Sequence, residues 1–379
     1  MNIIVLGSGL IGRPMAIDLS NDKSFNVSIA DINQKNLNKI PKQLPIKKIQ
    51  KDISDPQILK SLISKNDIVL NALPSFIGFK MLKEIIKAKK NVVDITFAPE
   101  DPFELDKLAK QNNVTAIVDC GVAPGMSNLL AGYVNSLLDF TETILIYVGG
   151  LPVIREYPYE YKAGFSPIDV IEEYTRSARF VENGKLVVRP ALSDPELIDF
   201  DEVGTLEAFN SDGLRTLAKT LTAPNMKEKT LRFPGHIEKI KVLRESGFFN
   251  QKEIDIKGMK IKPIDFTSEI LFPLWELKDG DEDFTVMRII IEGIKSKKKV
   301  RYTFNLLDRH DKKTNTHSMA RTTGYTATSV VRLLSKRLFN KKGICPPEYI
   351  GENSKCVDFV IKELKKRGIF YRQSIETIK

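Results

Sequence analysis

Three glycines at G-x-G-x-x-G spacing, in Gly7-Ser8-Gly9-Leu10-Ile11-Gly12, are followed at residue 31 by an aspartate. Each glycine meets a different requirement of one chemistry. Gly7 permits a tight turn out of a strand, Gly9 lets a pyrophosphate approach backbone that carries no Cβ, and Gly12 lets a helix pack close to that strand. The helix start then offers unpaired N–H groups and a positive dipole end to phosphate. Asp31 falls about 20 residues beyond the last glycine, where a carboxylate accepts hydrogen bonds from the adenosine ribose and repels a 2′-phosphate. Glycines also mark plain turns, so the motif needs its context. An apolar, β-branched run at 2–6 precedes it and a helical pattern at 10–19 follows. The reading is a dinucleotide site, with NAD favoured over NADP.

Three further stretches carry polar groups that a fold alone does not require. Within 204–215, Glu207, Asn210, Asp212 and Arg215 could hold an amine and a carboxylate, although turn chemistry in Ser211-Asp212-Gly213 accounts for Asp212 equally well. Within 229–236 stand Arg232 and His236; the histidine reads as a proton carrier or as a structural hydrogen bonder. Within 319–325, Thr322 and Thr323 either cap a helix or touch substrate. No Ser-His-Asp, HExxH or P-loop pattern occurs, so hydrolysis and phosphoryl transfer find no support. A nicotinamide carries the redox chemistry itself and leaves orientation and proton management to the protein. That division suits a site without an obvious nucleophile.

The elements that must position these residues follow from pattern. Strand-like runs at 2–6, 25–30, 46–49, 67–71, 91–96 and 114–118 alternate with helical segments, which predicts an α/β fold with a doubly wound parallel sheet, a Rossmann domain at 1–125. Ligands of such sheets lie beyond the carboxyl ends of the strands. That rule sets Gly9, Asp31, Asp52 with Ile53, Ala72-Leu73-Pro74, Thr96 and the loop after residue 118 on one rim. Asp52 stands where a carboxylate commonly faces the adenine amino group. In the loop, Val122, Pro124, Gly125 and Met126 lie near the expected nicotinamide, and the same segment reads as a domain hinge. A second domain is expected at 126–318, with β-rich runs at 143–148, 285–294 and 300–307, the last two pairing as a hairpin. Residues 319–379, with helices at 322–338 and 356–367, are expected to return to the first domain.

The chain has 379 residues, enough for two domains, and its composition (42% hydrophobic, 28% charged) is that of an ordinary globular protein. Its net charge of +10 invites a nucleic-acid reading. The densest basic cluster, 295–301, however, falls between two strand-like runs without interleaved aromatics, and reads as a solvated hairpin tip. Neither a nucleic acid nor a membrane is expected as partner. The three cysteines form no pairing framework and the three histidines no metal spacing, so no metal is expected, and the cysteine usage fits a reducing cytoplasm. No apolar run approaches the length of a membrane span, and the N-terminus lacks the cationic region of a secretory signal.

Several segments together resemble the saccharopine dehydrogenase-like oxidoreductases, and within them the L-lysine 6-dehydrogenase branch. They are Gly-Val-Ala-Pro-Gly-Met-Ser-Asn (121–128), Pro-Tyr-Glu-Tyr-Lys (158–162), Phe-Ser-Pro-Ile-Asp-Val-Ile-Glu-Glu-Tyr (165–174), 207–215, Leu-Arg-Phe-Pro-Gly-His (231–236) and Met-Ala-Arg-Thr-Thr-Gly (319–324). The resemblance implies a Rossmann domain, an inserted α/β substrate and dimerisation domain, and a C-terminal return. It also implies NAD-dependent oxidation of the lysine ε-amine to allysine, which cyclises to piperideine-6-carboxylate. Hydride leaves the ε-carbon only when the amine is neutral, yet a free lysine amine has a pKa of about 10.4. The site must therefore desolvate the amine or supply a base. Asp94, Glu207, Asp212 and His236 are the candidates for orienting nitrogen or handling its proton. Arg215 and Arg232, as bidentate forks, are candidates for the α-carboxylate, with Asn210, Thr322 and Thr323 beside them. A saccharopine- or carboxynorspermidine-type reaction on a secondary amine is the alternative, and an NAD-binding scaffold the alternative outside catalysis. Edge-rich antiparallel structure in the second domain points to a homodimer or larger assembly.

Overall fold

Seven β-branched runs assemble into one wholly parallel sheet, in the order Gly343–Cys345, Thr115–Ile117, Asn91–Asp94, Ile68–Asn71, Asn2–Leu6, Asn26–Asp31 and Ile46–Gln50. The computed structural model describes residues 1–278 and 280–378. They divide into two compact units, Met1–Leu137 with Met319–Phe370, and Leu138–Ser318 with the residues from Tyr371 on. The sheet is the core of the first unit. Its central strands are buried on both faces, as continuous apolar runs such as Ile3-Ile4-Val5-Leu6 require. Some of the helices start where a side chain satisfies one of their free N–H groups. Asp55 accepts from Gln57 N–H at 2.7 Å ahead of Pro56–Ile63, and Asn353 accepts from Lys355 N–H at 3.0 Å ahead of Ser354–Lys366. Leu59, Ile63, Met81, Leu82 and Ile85 then close over the strands.

The seventh strand comes from the return segment. Two boundaries differ from expectation. Helix Met126–Leu137 belongs to the first unit, because Gly132 and Gly351 let it and helix Pro347–Gly351 approach closely; a Cβ at Gly132 would stand 2.3 Å from the Glu348 carbonyl oxygen. The return also stops at Phe370. Strand Tyr371–Thr377 instead extends the second unit by pairing antiparallel with Lys298–Arg309.

The second unit is a mixed nine-stranded sheet whose main path runs Glu196–Phe200, Gly204–Asn210, Asn225–Arg232, Phe140–Pro152, Asp283–Lys295, Lys298–Arg309 and Tyr371–Thr377. Asp283–Lys295 and Lys298–Arg309 form the expected hairpin, turning through Ser296 and Lys297, both at positive φ (50° and 64°). The basic cluster is this tip: Lys299 pairs with Glu142 at 3.0 Å and Arg301 with Glu292 at 2.6 Å. Helices Pro167–Thr175, His236–Glu245 and Pro263–Trp275 contribute Tyr174, Ile237 and Trp275 to a core shared with Phe209 and Leu231 from the strands. Among the described residues no helix is long and apolar enough to cross a membrane, and no group of three or more His, Cys, Asp or Glu could hold a metal ion.

Candidate functional site

In the first unit the glycine loop has the geometry that a dinucleotide needs. Gly7 stands at φ +96° and donates its N–H to the Ala30 carbonyl at 2.8 Å. A Cβ there would lie 2.6 Å from the Ala72 oxygen, and one at Gly12 would lie 2.0 Å from the Gly7 oxygen, so neither position admits a side chain. Gly9 differs: a Cβ would meet nothing within 4 Å, so the space beside its backbone is open. Leu10 and Ile11 lead from it into helix Gly12–Ser20, whose positive dipole end favours an anion; Arg13 N–H is already bonded to the Gly9 carbonyl and Met15 N–H to the Ile11 carbonyl, both at 3.2 Å. A pyrophosphate fits this cradle.

Asp31 ends the neighbouring strand. Its Oδ2 accepts from Ser8 N–H at 2.6 Å and its Oδ1 from Asn33 N–H at 2.7 Å. The carboxylate is thus fixed against the loop by backbone donors. Asp52 is exposed and turns back on Ser54, accepting from its N–H (3.0 Å) and hydroxyl (2.6 Å), bonds that lower its pKa; Ile53 beside it is buried. Ala72 packs on Gly7 and Gly12, Leu73 is buried, and Pro74 leads into helix Ser75–Lys87. Asp94 accepts from the N–H (3.1 Å) and hydroxyl (2.9 Å) of Thr96, whose side chain lies where a Cβ on Gly78 would be. Asp94 is 3% exposed, so among the expected proton carriers it is one buried in a bond to its own neighbour.

The loop after the sixth strand folds on itself. Gly121 N–H donates to the Pro124 carbonyl at 3.0 Å and Met126 N–H to the Gly121 carbonyl at 2.9 Å, while Ser127 N–H reaches the Val122 carbonyl at 3.0 Å. Gly125 (φ +142°) touches Gly121 so closely that no side chain fits. Thr323 backs this loop, its methyl 3.3 Å from the Cβ position of Gly121. Neither threonine caps a helix. Both lie one turn inside Ser318–Ser335, Thr322 bonding to the Met319 carbonyl at 3.4 Å and Thr323 to its sulfur at 3.6 Å. Cys120 is no nucleophile, since burial, with Asp94 and Asp119 nearby, holds its thiol far above the ordinary range.

The polar residues of the second unit separate into two kinds. Arg232 is 2% exposed and fully engaged: it donates to Glu173 (2.7 Å), the Tyr174 hydroxyl (3.1 Å) and the Leu231 carbonyl (2.9 Å), and lies 4.3 Å over the Tyr161 ring. His236 is buried with both ring nitrogens bonded, to the Tyr174 hydroxyl at 3.0 Å and the Tyr159 carbonyl at 2.8 Å. Burial and the Arg232 charge push its pKa down to about 3, so it stays neutral. Asp212 is likewise spent on a bidentate pair with Arg179 (2.8 and 2.7 Å), and Asn210 donates to Ser193 and Asp194. The groups that Arg232 was expected to offer a carboxylate, and that His236 and Asp212 were expected to offer a proton, are engaged within the protein. Packing has used their donors and acceptors. Glu207 is different. It is half-buried, and among the described residues its hydrogen bond is a single one, from Gly235 N–H at 3.1 Å. Arg215, half-buried at φ 52°, follows that stretch.

One group escaped sequence reasoning. Glu228 is buried against Gly213, accepts from Ser211 (2.7 Å) and Gly213 N–H (3.1 Å), and is pushed by burial up to about 8. In Lys227-Glu228-Lys229 it reads as a solvent-facing strand position. The signal was distant: Gly213, the one residue type that leaves room for its carboxyl.

Two family descriptions match this chain: Saccharopine dehydrogenase NADP binding domain over residues 3–117, and Saccharopine dehydrogenase C-terminal domain over 121–369. Among curated proteins, saccharopine dehydrogenase [NADP(+), L-glutamate-forming] of Pyricularia oryzae is 28% identical over 66% of this chain; the chain spans 59% of that relative's length. Carboxynorspermidine synthase of Vibrio cholerae is 22% identical over 79% of each chain. Among solved structures, apo saccharopine dehydrogenase (L-Glu forming) from Saccharomyces cerevisiae superposes with a TM-score of 0.80 at 20% identity, covering 99% of this chain and 100% of that one.

Proposed function

The chain belongs to the saccharopine dehydrogenase family, and from that premise we propose that it is a nicotinamide-dependent oxidoreductase acting at the C–N bond of an amino acid or amine. The observation that carries this reading is the open backbone at Gly9, framed by Gly7, Gly12 and the fixed carboxylate of Asp31. When bound there, the dinucleotide supplies the hydride acceptor. The family description and the Pyricularia relative are named for NADP; Asp31 is the local feature that supports NAD, because an ionised carboxylate repels a 2′-phosphate.

The substrate proposed is L-lysine, oxidised at the ε-carbon. With the amine neutral, hydride departs from the ε-carbon to the oxidised dinucleotide, water adds to the resulting iminium, ammonia leaves, and the allysine closes onto its own α-amine with loss of water. Glu207 is the residue proposed to orient the amine and take its proton, since it retains acceptor capacity where Asp212 and His236 do not. Arg215, half-buried at the end of the stretch that carries Glu207, is the arginine proposed for a carboxylate, as its planar fork suits one. One such anchor suits lysine better than saccharopine, which carries three carboxylates.

A second reading, oxidation or formation of a secondary amine, is supported by the names of the relatives, a saccharopine dehydrogenase and a carboxynorspermidine synthase. Purified protein offered L-lysine, saccharopine or carboxynorspermidine with either dinucleotide separates the two. Lysine should yield reduced cofactor, ammonia and a product trapped by 2-aminobenzaldehyde. Efficient turnover of saccharopine with inert lysine replaces the first reading by the second. Stoichiometric dinucleotide binding without turnover of any amine leaves a scaffold.

Assembly as a homodimer through the second unit is also proposed, because its peripheral strands Lys185–Arg189 and Glu196–Phe200 expose Leu186, Val188 and Leu197. A monomer by light scattering at micromolar concentration removes this proposal.

A further inference from the structure

Asp18 is in the wrong place for its helix. It lies in the last turn of Gly12–Ser20, where the helix dipole favours cations, and it is 8% exposed. Its surroundings explain it. Oδ2 accepts from the Thr328 hydroxyl at 2.5 Å and from Arg332 at 2.7 Å, Oδ1 accepts from Arg367 at 2.7 Å, and its backbone carbonyl accepts from Arg332 at 3.0 Å. Arg367 is oriented in turn by the carboxylate (3.0 Å) and carbonyl (2.7 Å) of Glu363. All these partners come from the return segment of the first unit.

The same face of the return helix Ser318–Ser335 makes a second contact nearer the phosphate loop. Gly324, Thr328 and Arg332 recur every four residues, so they share one face. A Cβ on Gly324 would lie 2.9 Å from Cγ of Met15, which is fully buried, and 3.6 Å from both Cγ2 and the carbonyl oxygen of Ile11. Ile11 and Met15 open the helix that Asp18 closes. The return helix therefore holds the dinucleotide helix at both ends: by close approach at Gly324 beside the loop, and by a buried charge cluster at Asp18.

We propose that Gly324 and Asp18 are positioning residues for the dinucleotide, fixing the height and tilt of the helix start that faces the pyrophosphate. The proposal rests on the dinucleotide reading of the Gly7–Gly12 loop. A phosphate cradle of backbone N–H groups has no flexible side chain with which to follow a displaced helix. A shift of a few tenths of an ångström at Ile11 is felt directly as lost hydrogen-bond geometry.

The test is a fluorescence titration with NADH and NADPH alongside thermal unfolding of the same samples. Gly324→Ala should weaken binding of the preferred dinucleotide about tenfold, as expected for misplaced binding groups. Adding Met15→Ala removes the atom that the new methyl meets. The double variant should bind more tightly than Gly324→Ala while unfolding at a lower temperature, because a buried methionine has been truncated. Thr328→Val, which keeps shape and removes one donor to Asp18, should weaken binding by about twofold to fivefold, less than the full worth of a hydrogen bond to a charged group because Arg332 and Arg367 still hold Asp18. If Gly324→Ala does not fold, Thr328→Val and the double variant decide. Unchanged affinity in the folded variants, or affinity that simply follows unfolding temperature, overturns the proposal. A wild type that binds neither dinucleotide overturns the reading beneath it and the proposal together.

Discussion

The Tyr174 hydroxyl lies 3.0 Å from Nε2 of His236 and accepts, at 3.1 Å, from Nε of Arg232. Since Arg232 has no acceptor, the hydroxyl proton must point to Nε2, which leaves the imidazole proton on Nδ1, donating to the Tyr159 carbonyl at 2.8 Å. The chain Glu173–Arg232–Tyr174–His236–Tyr159 is satisfied at every link, and it ties helix Pro167–Thr175 to strand Asn225–Arg232 and helix His236–Glu245.

His236 should therefore act on stability rather than on turnover. Its folded pKa, about 3, lies below the ordinary value near 6.5, so the unfolded chain binds the extra proton between those values. Stability should be lost as pH falls from 6.5 towards 3, by at most about 1.4 kcal/mol per pH unit from this group. Denaturant titrations should show that slope reduced in His236→Asn, with the pH profile of turnover above 6.5 unchanged. A shifted activity profile would return His236 to the proton-carrying role.

Glu228 predicts a slope of the opposite sign. Burial raises its folded pKa to about 8, so its stabilising contribution is complete below the ordinary 4.5 and is lost as pH rises through 8. Between pH 6.5 and 8, where His236 is silent, wild-type stability should decline with pH. Glu228→Gln should flatten that decline, and an undiminished slope in the variant would place its origin elsewhere.

Asp31→Ala should narrow the preference between NAD and NADP by removing repulsion of the 2′-phosphate, and should also loosen the loop that Ser8 N–H ties to it. Steady-state kinetics at low, equal cofactor concentration give the ratio. A wild type that reacts faster with NADP contradicts the cofactor proposal.

Glu207 and Arg215 should separate in kinetics. Glu207→Gln should lower turnover by about 10²-fold or more if that carboxylate takes the proton. Arg215→Ala should mainly raise the Michaelis constant, because a carboxylate anchor remote from the reacting carbon contributes similarly to ground and transition states. Asp212→Asn, by contrast, should destabilise by about 2 kcal/mol through its pair with Arg179, discounted for the partial exposure of that arginine, and leave turnover per folded molecule intact. Equal turnover defects in Glu207→Gln and Asp212→Asn argue against the assignment.

What the sequence determined by itself is local. The Gly7–Gly12 loop and Asp31 are legible because their spacing and the strand and helix around them all fall within some thirty residues, and the strand–helix alternation follows from the period of apolar residues. The hairpin at 283–309 is legible for the same reason, two β-branched runs joined by a polar turn. Tertiary structure decided which polar side chains remained available. Glu207, Asp212, Arg232 and His236 are alike in sequence as groups that bind or carry protons. Whether each is spent depends on residues far along the chain: Arg179 lies 33 positions from Asp212, and Glu173 lies 59 from Arg232. The strand that leaves the return segment at Tyr371 was equally hidden, since an exposed edge strand has no apolar period to announce it. Asp18 shows the same limit. An acidic residue at a helix end reads as solvent-facing until Arg332 and Arg367, more than three hundred residues later, are folded against it. A buried charge is set by the partners that packing brings to it, and a one-dimensional pattern holds no record of them.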